Sequence, residues 1–188
     1  MSSSQPQDRP HGETGNHDLP TSRTGETADT KTLERVPWPK GADQIRALIE
    51  QGTLMKLTSG PDLTSVMLEG ARSDLGAAEV ILQNYPSTAF DNAYDAARKS
   101  GAAILECQRL RVKSGEGGHA AIGAAIEAQI GKAEGRRFQS LRYIRNATQC
   151  PSPDKDAAVA DDAADAIEFA KLMLTAAETM TAIVGVFR

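Results

Sequence analysis

From residue 62 onward the apolar positions recur every third or fourth residue, the period of a helix face. Leu63, Met67, Ala71, Leu75, Ala78 and Leu82 form the first such stripe, with Tyr85 at its end. Asn84-Tyr85-Pro86 interrupts it, and Pro86, followed by Ser87 and Thr88, suits the first turn of a new helix. There Phe90, Tyr94, Ala97, Gly101, Ile104 and Leu105 share one face, and the helix is expected to run to about Val112. A glycine connector from Lys113 to His119 leads into a segment marked by Ile122, Ile126 and Ile130. An arginine-rich helix follows from about Lys132 to Gln149, and Pro151 and Pro153 stop it. The last helix is expected from about Asp156 to Val184, capped by Ser152 or Asp154, with Ala163, Ile167, Ala170, Leu174 and Ala177 facing one way. Near the start, Gly41 to Gln51 reads as a short helix carrying Ile45, Leu48 and Ile49, ended by Gly52. No run of alternating β-branched residues is long enough to predict a strand. The pattern therefore predicts an all-α, up-and-down bundle of four to five helices with a short N-terminal helix.

Three stretches divide the chain. Residues 1–36 are rich in Ser, Thr, Gly, Pro, Asp and His, with almost no apolar content, and are expected to be a disordered tail. Residues 37–60 form a linker and the short helix, and residues 61–188 the bundle. Val36-Pro37-Trp38-Pro39 closes the tail, and its tryptophan, the single one in the chain, is expected to dock on the domain, the alternative being a partner-binding segment. Composition supports a helical core: hydrophobic residues make up 40% of the 188 but aromatics only 4%. Small side chains between closely packed helices would carry the burial.

The formal net charge is -4, so no global basic field draws the chain to nucleic acid, and any RNA contact must come from a local patch. No apolar run is long enough to span a bilayer, and the polar N-terminus lacks the apolar core of an export signal. No membrane partner is expected, and a cytoplasmic location is the default.

One local patch stands out. Stepped at about 100° per residue, Phe138, Leu141, Ile144 and Thr148 fall on one side of the arginine helix, the side expected to be buried. Arg145 falls inside that stripe, Arg142 lies at its edge, and Asn146 follows directly. Burying an unpaired arginine costs several kcal/mol or more, so Arg145 needs a partner, an interface or a task. Arginine forks grip phosphate bidentately and asparagine bonds a ribose or base, which makes Arg136, Arg137, Arg142, Arg145 and Asn146 candidate RNA contacts. The competing reading pairs Arg145 with an acid of the last helix, Asp161, Asp165 or Glu168, as a structural staple.

Other chemistries find less support. The connector lacks the Lys-Ser/Thr ending of a phosphate-binding loop, and no strand precedes it. The Glu-x-x-His motif of a di-iron bundle is absent, and the acids of residues 154–168 read as a solvated face, so no metal or cofactor is expected. Cys107 and Cys150 form no CxxC pair; Cys107 reads as core and Cys150 as partly exposed. His119, at or just inside its helix, reads as a capping or packing residue.

Four features taken together resemble the HEPN superfamily of small prokaryotic helical domains, over about residues 42–184. They are the long helix with Ala93-Tyr94-Asp95-Ala96-Ala97-Arg98, the Gly-Gly-His119 connector, the ending Arg145-Asn146-x-x-x-Cys150-Pro151, and the alanine-rich last helix. The resemblance implies a homodimer and RNA binding. It also implies metal-independent endoribonuclease activity, in a toxin–antitoxin or phage-defence setting with a nucleotidyltransferase-type antitoxin as partner. The active motif of such domains is Arg-x(4–6)-His, paired across the dimer interface. Arg145 matches its arginine and Asn146 the polar residue after it. The histidine positions hold Cys150, Pro151 and Ser152 instead. Cutting RNA by 2′-hydroxyl attack needs a side chain that titrates near neutrality, and a cysteine serves only if its pKa is lowered. The resemblance thus implies scaffold and RNA affinity more firmly than catalysis through Arg145, Asn146 and Cys150. The alternative is a non-catalytic helical protein-interaction module.

Overall fold

Helices form where the apolar stripes lie. In chain order they are α1 (Ala42–Glu50), α2 (Thr64–Ile81), α3 (Pro86–Cys107), α4 (Gly118–Gln129), α5 (Lys132–Gln149) and α6 (Ala160–Ile183). Two three-residue strands, β1 (Leu54–Lys56) and β2 (Leu110–Val112), complete the elements. The computed structural model describes residues 35–113, 117–149 and 159–188. The protein is an all-α helical bundle.

α3 is the central helix. Ala89, Phe90, Ala93, Tyr94, Ala96 and Ala97 have no accessible surface, so it is covered on more than one side. Its alanines let α2 and α6 approach the backbone closely, with Leu75 of α2 and Ile167, Phe169 and Met173 of α6 filling the remaining space. Phe138 and Leu141 of α5 join the same core. Each large side chain buried there contributes about 1.5–3 kcal/mol. At the solvent edge, Lys99–Asp74 (2.6 Å), Arg72–Glu178 (2.6 Å) and Lys171–Glu79 (3.0 Å) link α2 to α3 and α6. Such pairs contribute at most about 1 kcal/mol each and serve mainly to fix helix register.

α4 packs on α3 at Gly101, where a Cβ would stand 2.8 Å from Cγ2 of Ile122 and 3.1 Å from Cδ1 of Ile126. α5 turns back against α4 at Gly123, where a Cβ would come within 3.0 Å of the Phe138 ring. These two contacts bring the first turn of α4 beside the middle of α3 and α5.

The helix expected to reach Val112 ends at Cys107. Arg109 takes a left-handed conformation (φ 61°), and residues 110–112 leave as β2. β2 pairs antiparallel with β1, Leu54 opposite Val112 and Lys56 opposite Leu110, a sheet the sequence pattern did not announce. Ile45, Leu54, Leu105, Leu110, Ala125 and Phe187 form a second, smaller core beneath it. Glu106, 1% exposed, accepts hydrogen bonds from Arg111 Nη2 (2.6 Å) and Nε (3.1 Å), so this buried carboxylate is paired bidentately.

Val36 falls within the stretch expected to be disordered, yet it forms a parallel bridge with Val184. Its N–H donates to Ile183 O (3.0 Å), and Gly185 N–H donates to Val36 O (2.8 Å). Trp38 docks as expected: half-buried, it donates its indole N–H to Gln129 O (3.2 Å) at the end of α4. The remaining tail expectation (1–34), the connector centre (114–116), Cys150, and the caps Ser152 and Asp154 lie outside the described residues, as does the expected start of the last helix at Asp156. Among the described residues, α6 begins at Ala160, with Val159 N–H donating to Asp162 Oδ2 (3.1 Å). No helix among them is long and apolar enough to cross a membrane.

Candidate functional site

α5 buries the face its apolar stripe defines. Phe138 and Leu141 are in the core, Ile144 and Arg145 are half-buried, and Asn146 is exposed. Arg145 is accommodated in the stripe by an aromatic face: its guanidinium carbon lies 5.2 Å from the centroid of the Tyr94 ring. A planar cation over a phenol ring is attracted by the ring quadrupole while its stem covers apolar surface.

Tyr94 is the hub. Its ring stacks on Phe138 at 5.3 Å and 28°. Its hydroxyl lies 2.9 Å from Nδ1 of His119, and the two rings are 5.6 Å apart. Burial pushes the phenol up to about 12, against the opposing pull of Arg145, Arg98 and Arg142, so it stays protonated at neutral pH. The direction of the Tyr94–His119 bond follows the imidazole tautomer. When Nδ1 carries the proton it donates to the phenol oxygen, and Nε2 is then the basic nitrogen.

Burial also holds His119 below its ordinary value, helped by the positive charges of Arg98, Arg145 and Arg142, with Asp95 acting the other way. Each of those arginines is held in place by a neighbour. Arg98 Nε donates to Asp95 Oδ1 (3.0 Å) on α3. Arg142 Nε donates to Gln139 Oε1 (2.8 Å), and Gln139 Nε2 donates to Ala120 O (3.4 Å) in the first turn of α4. Asp91, half-buried, stands on α3 one turn before Asp95. Helices α3, α4 and α5 thus bring together one imidazole, one phenol, three guanidinium groups and an amide. This set suits an anion with several oxygens, and its imidazole is held below the ordinary histidine value by burial. Comparison with protein-family models, with curated proteins and with solved structures finds no match.

Of the residues singled out in the sequence, Arg142 and Arg145 stand together here. Arg137 does not join them. It faces α6, donating to Asp165 O (3.0 Å) and to the Asp165 carboxylate, with its guanidinium 5.2 Å from the Phe169 ring. The staple to the last helix is therefore made by Arg137, and Glu168 is engaged by Lys171 (2.9 Å). Arg136 is exposed and, nine positions before Arg145, lies roughly 180° from it around the helix. Cys150 lies outside the described residues. The sequence pattern gives Tyr94, Asp95 and Arg98 no site role, and His119 reads there as a capping or packing residue. One signal was available: a tyrosine inside an apolar stripe needs a partner for its hydroxyl once buried.

A groove of about 560 Å³ between α1 and α4 lies elsewhere, lined by Lys40, Gln44, Leu48, Glu127 and Lys132. Lys40 there donates to Ile130 O at the end of α4, a capping role rather than a catalytic one. Among the described residues, no group of three or more His, Cys, Asp or Glu is placed to hold a metal ion.

Proposed function

We propose that this chain is a HEPN-like RNA-binding protein that grips the phosphodiester backbone through Arg142 and Arg145, with Arg98 beside them. One observation carries the reading: Arg145 lies over the Tyr94 ring whose hydroxyl holds His119, and Arg142 is tied through Gln139 to the first turn of the same α4, in a chain whose net charge is -4. Arg98 shares its charge with Asp95, and a phosphate group beside Arg142 and Arg145 would gain from the positive potential on that face. Asn146, exposed on the next position of α5, is within the same patch of helix surface and supplies an amide to a ribose or base. In this proposal the protein acts as a homodimer with two such patches facing one groove. The setting is toxin–antitoxin or phage defence, with a nucleotidyltransferase-type antitoxin as the partner.

The test is binding of a short fluorescent single-stranded RNA to full-length protein, followed by anisotropy over a range of salt concentrations. The Arg142→Ala/Arg145→Ala double variant should bind markedly more weakly, with a shallower salt dependence, by about 0.7 in the log–log slope for each phosphate contact removed. Unchanged affinity and slope would sink the proposal. The rival, a non-catalytic interaction module, draws support from the Arg137–Asp165 staple. It predicts that the double variant loses fold stability and leaves RNA affinity as it was.

A further inference from the structure

We infer that His119 is the proton-transfer residue of this site, standing in from α4 for the histidine that Cys150, Pro151 and Ser152 replace after Arg145. The inference rests on the RNA-binding reading and adds catalysis to it. Three observations meet at His119. Its Nδ1 is held by the Tyr94 hydroxyl at 2.9 Å, which fixes the ring. The same Tyr94 ring carries the Arg145 guanidinium at 5.2 Å, so imidazole and arginine are presented on one shared platform. The imidazole is half-buried rather than enclosed, and no hydrogen bond engages Nε2 among the described residues. The charged and titratable groups facing it are Tyr94, Asp95 and Arg98 from α3 and Arg142 and Arg145 from α5. With Nδ1 donating to the phenol oxygen, Nε2 is a base.

The reaction that fits is intramolecular transesterification of RNA. Nε2 takes the proton of a ribose 2′-hydroxyl, and the 2′ oxygen bonds to the adjacent phosphorus. The bond from phosphorus to the 5′ oxygen breaks, and the imidazolium returns the proton to that oxygen. The products are a 2′,3′-cyclic phosphate and a 5′-hydroxyl; no water, metal or oxidant is consumed. Arg145 and Arg142 supply the positive charge that the phosphorane oxygens need as they become more negative. Tyr94 acts through His119 and is a positioning residue.

Full-length protein, kept in a chelator, is given a fluorescent single-stranded RNA and the all-deoxy strand of the same sequence. Cleavage of the RNA alone, with cyclic-phosphate ends, is the expected result. His119→Asn should still bind the RNA and cleave it about 10²–10⁴-fold more slowly. Added imidazole should restore part of the rate to His119→Ala. Tyr94→Phe should lower kcat with KM unchanged and move the acidic limb of the pH–rate profile. Should the variants fail to fold, the parent profile itself decides: its rate must rise with pH through a midpoint below the ordinary histidine value. A parent protein that binds RNA and leaves it intact overturns the inference and leaves the RNA-binding reading standing. So does a His119→Asn variant that cleaves at the parent rate. A parent protein that binds no RNA overturns both.

Discussion

Removing the Tyr94 ring tests whether the site and the core share one residue. Tyr94 has no accessible surface, stacks on Phe138 at 5.3 Å, supports Arg145 at 5.2 Å and bonds His119 at 2.9 Å. Truncation to alanine removes a large buried aromatic, which costs about 3–5 kcal/mol through lost transfer energy and the cavity left behind. The stacked partner adds about 0.5–1.5 kcal/mol and the cation over the ring about 0.5–2 kcal/mol. Tyr94→Ala should therefore cost about 4–8.5 kcal/mol, a large share of the roughly 5–15 kcal/mol typical of a domain. Tyr94→Phe keeps the ring and both face contacts. It loses one hydrogen bond to a half-buried imidazole that water can reach, so about 0.5–1.5 kcal/mol is expected. Urea denaturation followed by far-UV circular dichroism measures both. Trp38, the single tryptophan, gives a second probe where the chain meets the end of α4, and coincident transitions license the two-state analysis. If Tyr94→Ala costs less than about 2 kcal/mol, or no more than Tyr94→Phe, the ring is not the hub described.

Three further outcomes follow from other contacts. Because His119 is held below its ordinary value when folded, the unfolded chain binds more protons just below that value. Its contribution to stability is complete above the ordinary histidine range and lost as pH falls through it; His119→Asn should flatten stability against pH in that window. Cys107 is buried and its thiol is pushed up to about 12, so in a Cys150→Ser background no thiol should react with a disulfide reagent until the protein unfolds. Its contribution to stability should be lost as pH rises from about 9 toward 12. Arg137→Ala should leave RNA affinity unchanged and cost about 1–2 kcal/mol, the half-exposed Asp165 pair and the Phe169 ring contact together; a loss of affinity matching that of Arg145→Ala would show that Arg137 faces the RNA after all.

The sequence made the helices legible because their signal is periodic and long. The stripe through Phe90, Tyr94, Ala97, Gly101 and Ile104 is buried throughout, and the arginine helix spans Lys132–Gln149 as its pattern indicates. The strands were not legible. Leu54-Met55-Lys56 and Leu110-Arg111-Val112 are too short to carry a period of two, and only their pairing with each other, more than fifty positions apart, makes them strands. The turn that releases β2 depends on Arg109 in a left-handed conformation, for which an arginine gives no warning. The site was half legible. Arg145 could be seen as out of place within α5, but the ring beneath it sits on α3 and the imidazole bonded to that ring on α4. A wheel places Arg137 and Arg142 on either side of Arg145; it does not say which side meets α6. Gln139 shows the same limit: spacing puts it a turn from Arg142, and only the packing of α5 on α4 gives its amide the Ala120 carbonyl.

In the family that the sequence resembles, the arginine and histidine belong to one Arg-x(4–6)-His motif, and two copies of it face each other across a dimer interface. In this chain the imidazole comes from α4, and the phenol beneath Arg145 holds it within the same chain. Arg142 is tied to the first turn of α4 through Gln139, so the spacing between arginines and imidazole is fixed by intrachain bonds. A second copy would then add positive charge along the RNA and tighten binding, without supplying the group that moves the proton. The consequence is measurable by dilution. With RNA held at saturating concentration, the cleavage rate per chain should stay constant as the protein is diluted through dissociation of the proposed dimer, monitored in parallel by light scattering or mass photometry. KM should rise over the same range as the second set of arginines is lost. A rate per chain that falls in step with the dimer fraction at saturating RNA would refute this, because it would mean that the partner copy contributes a reacting group.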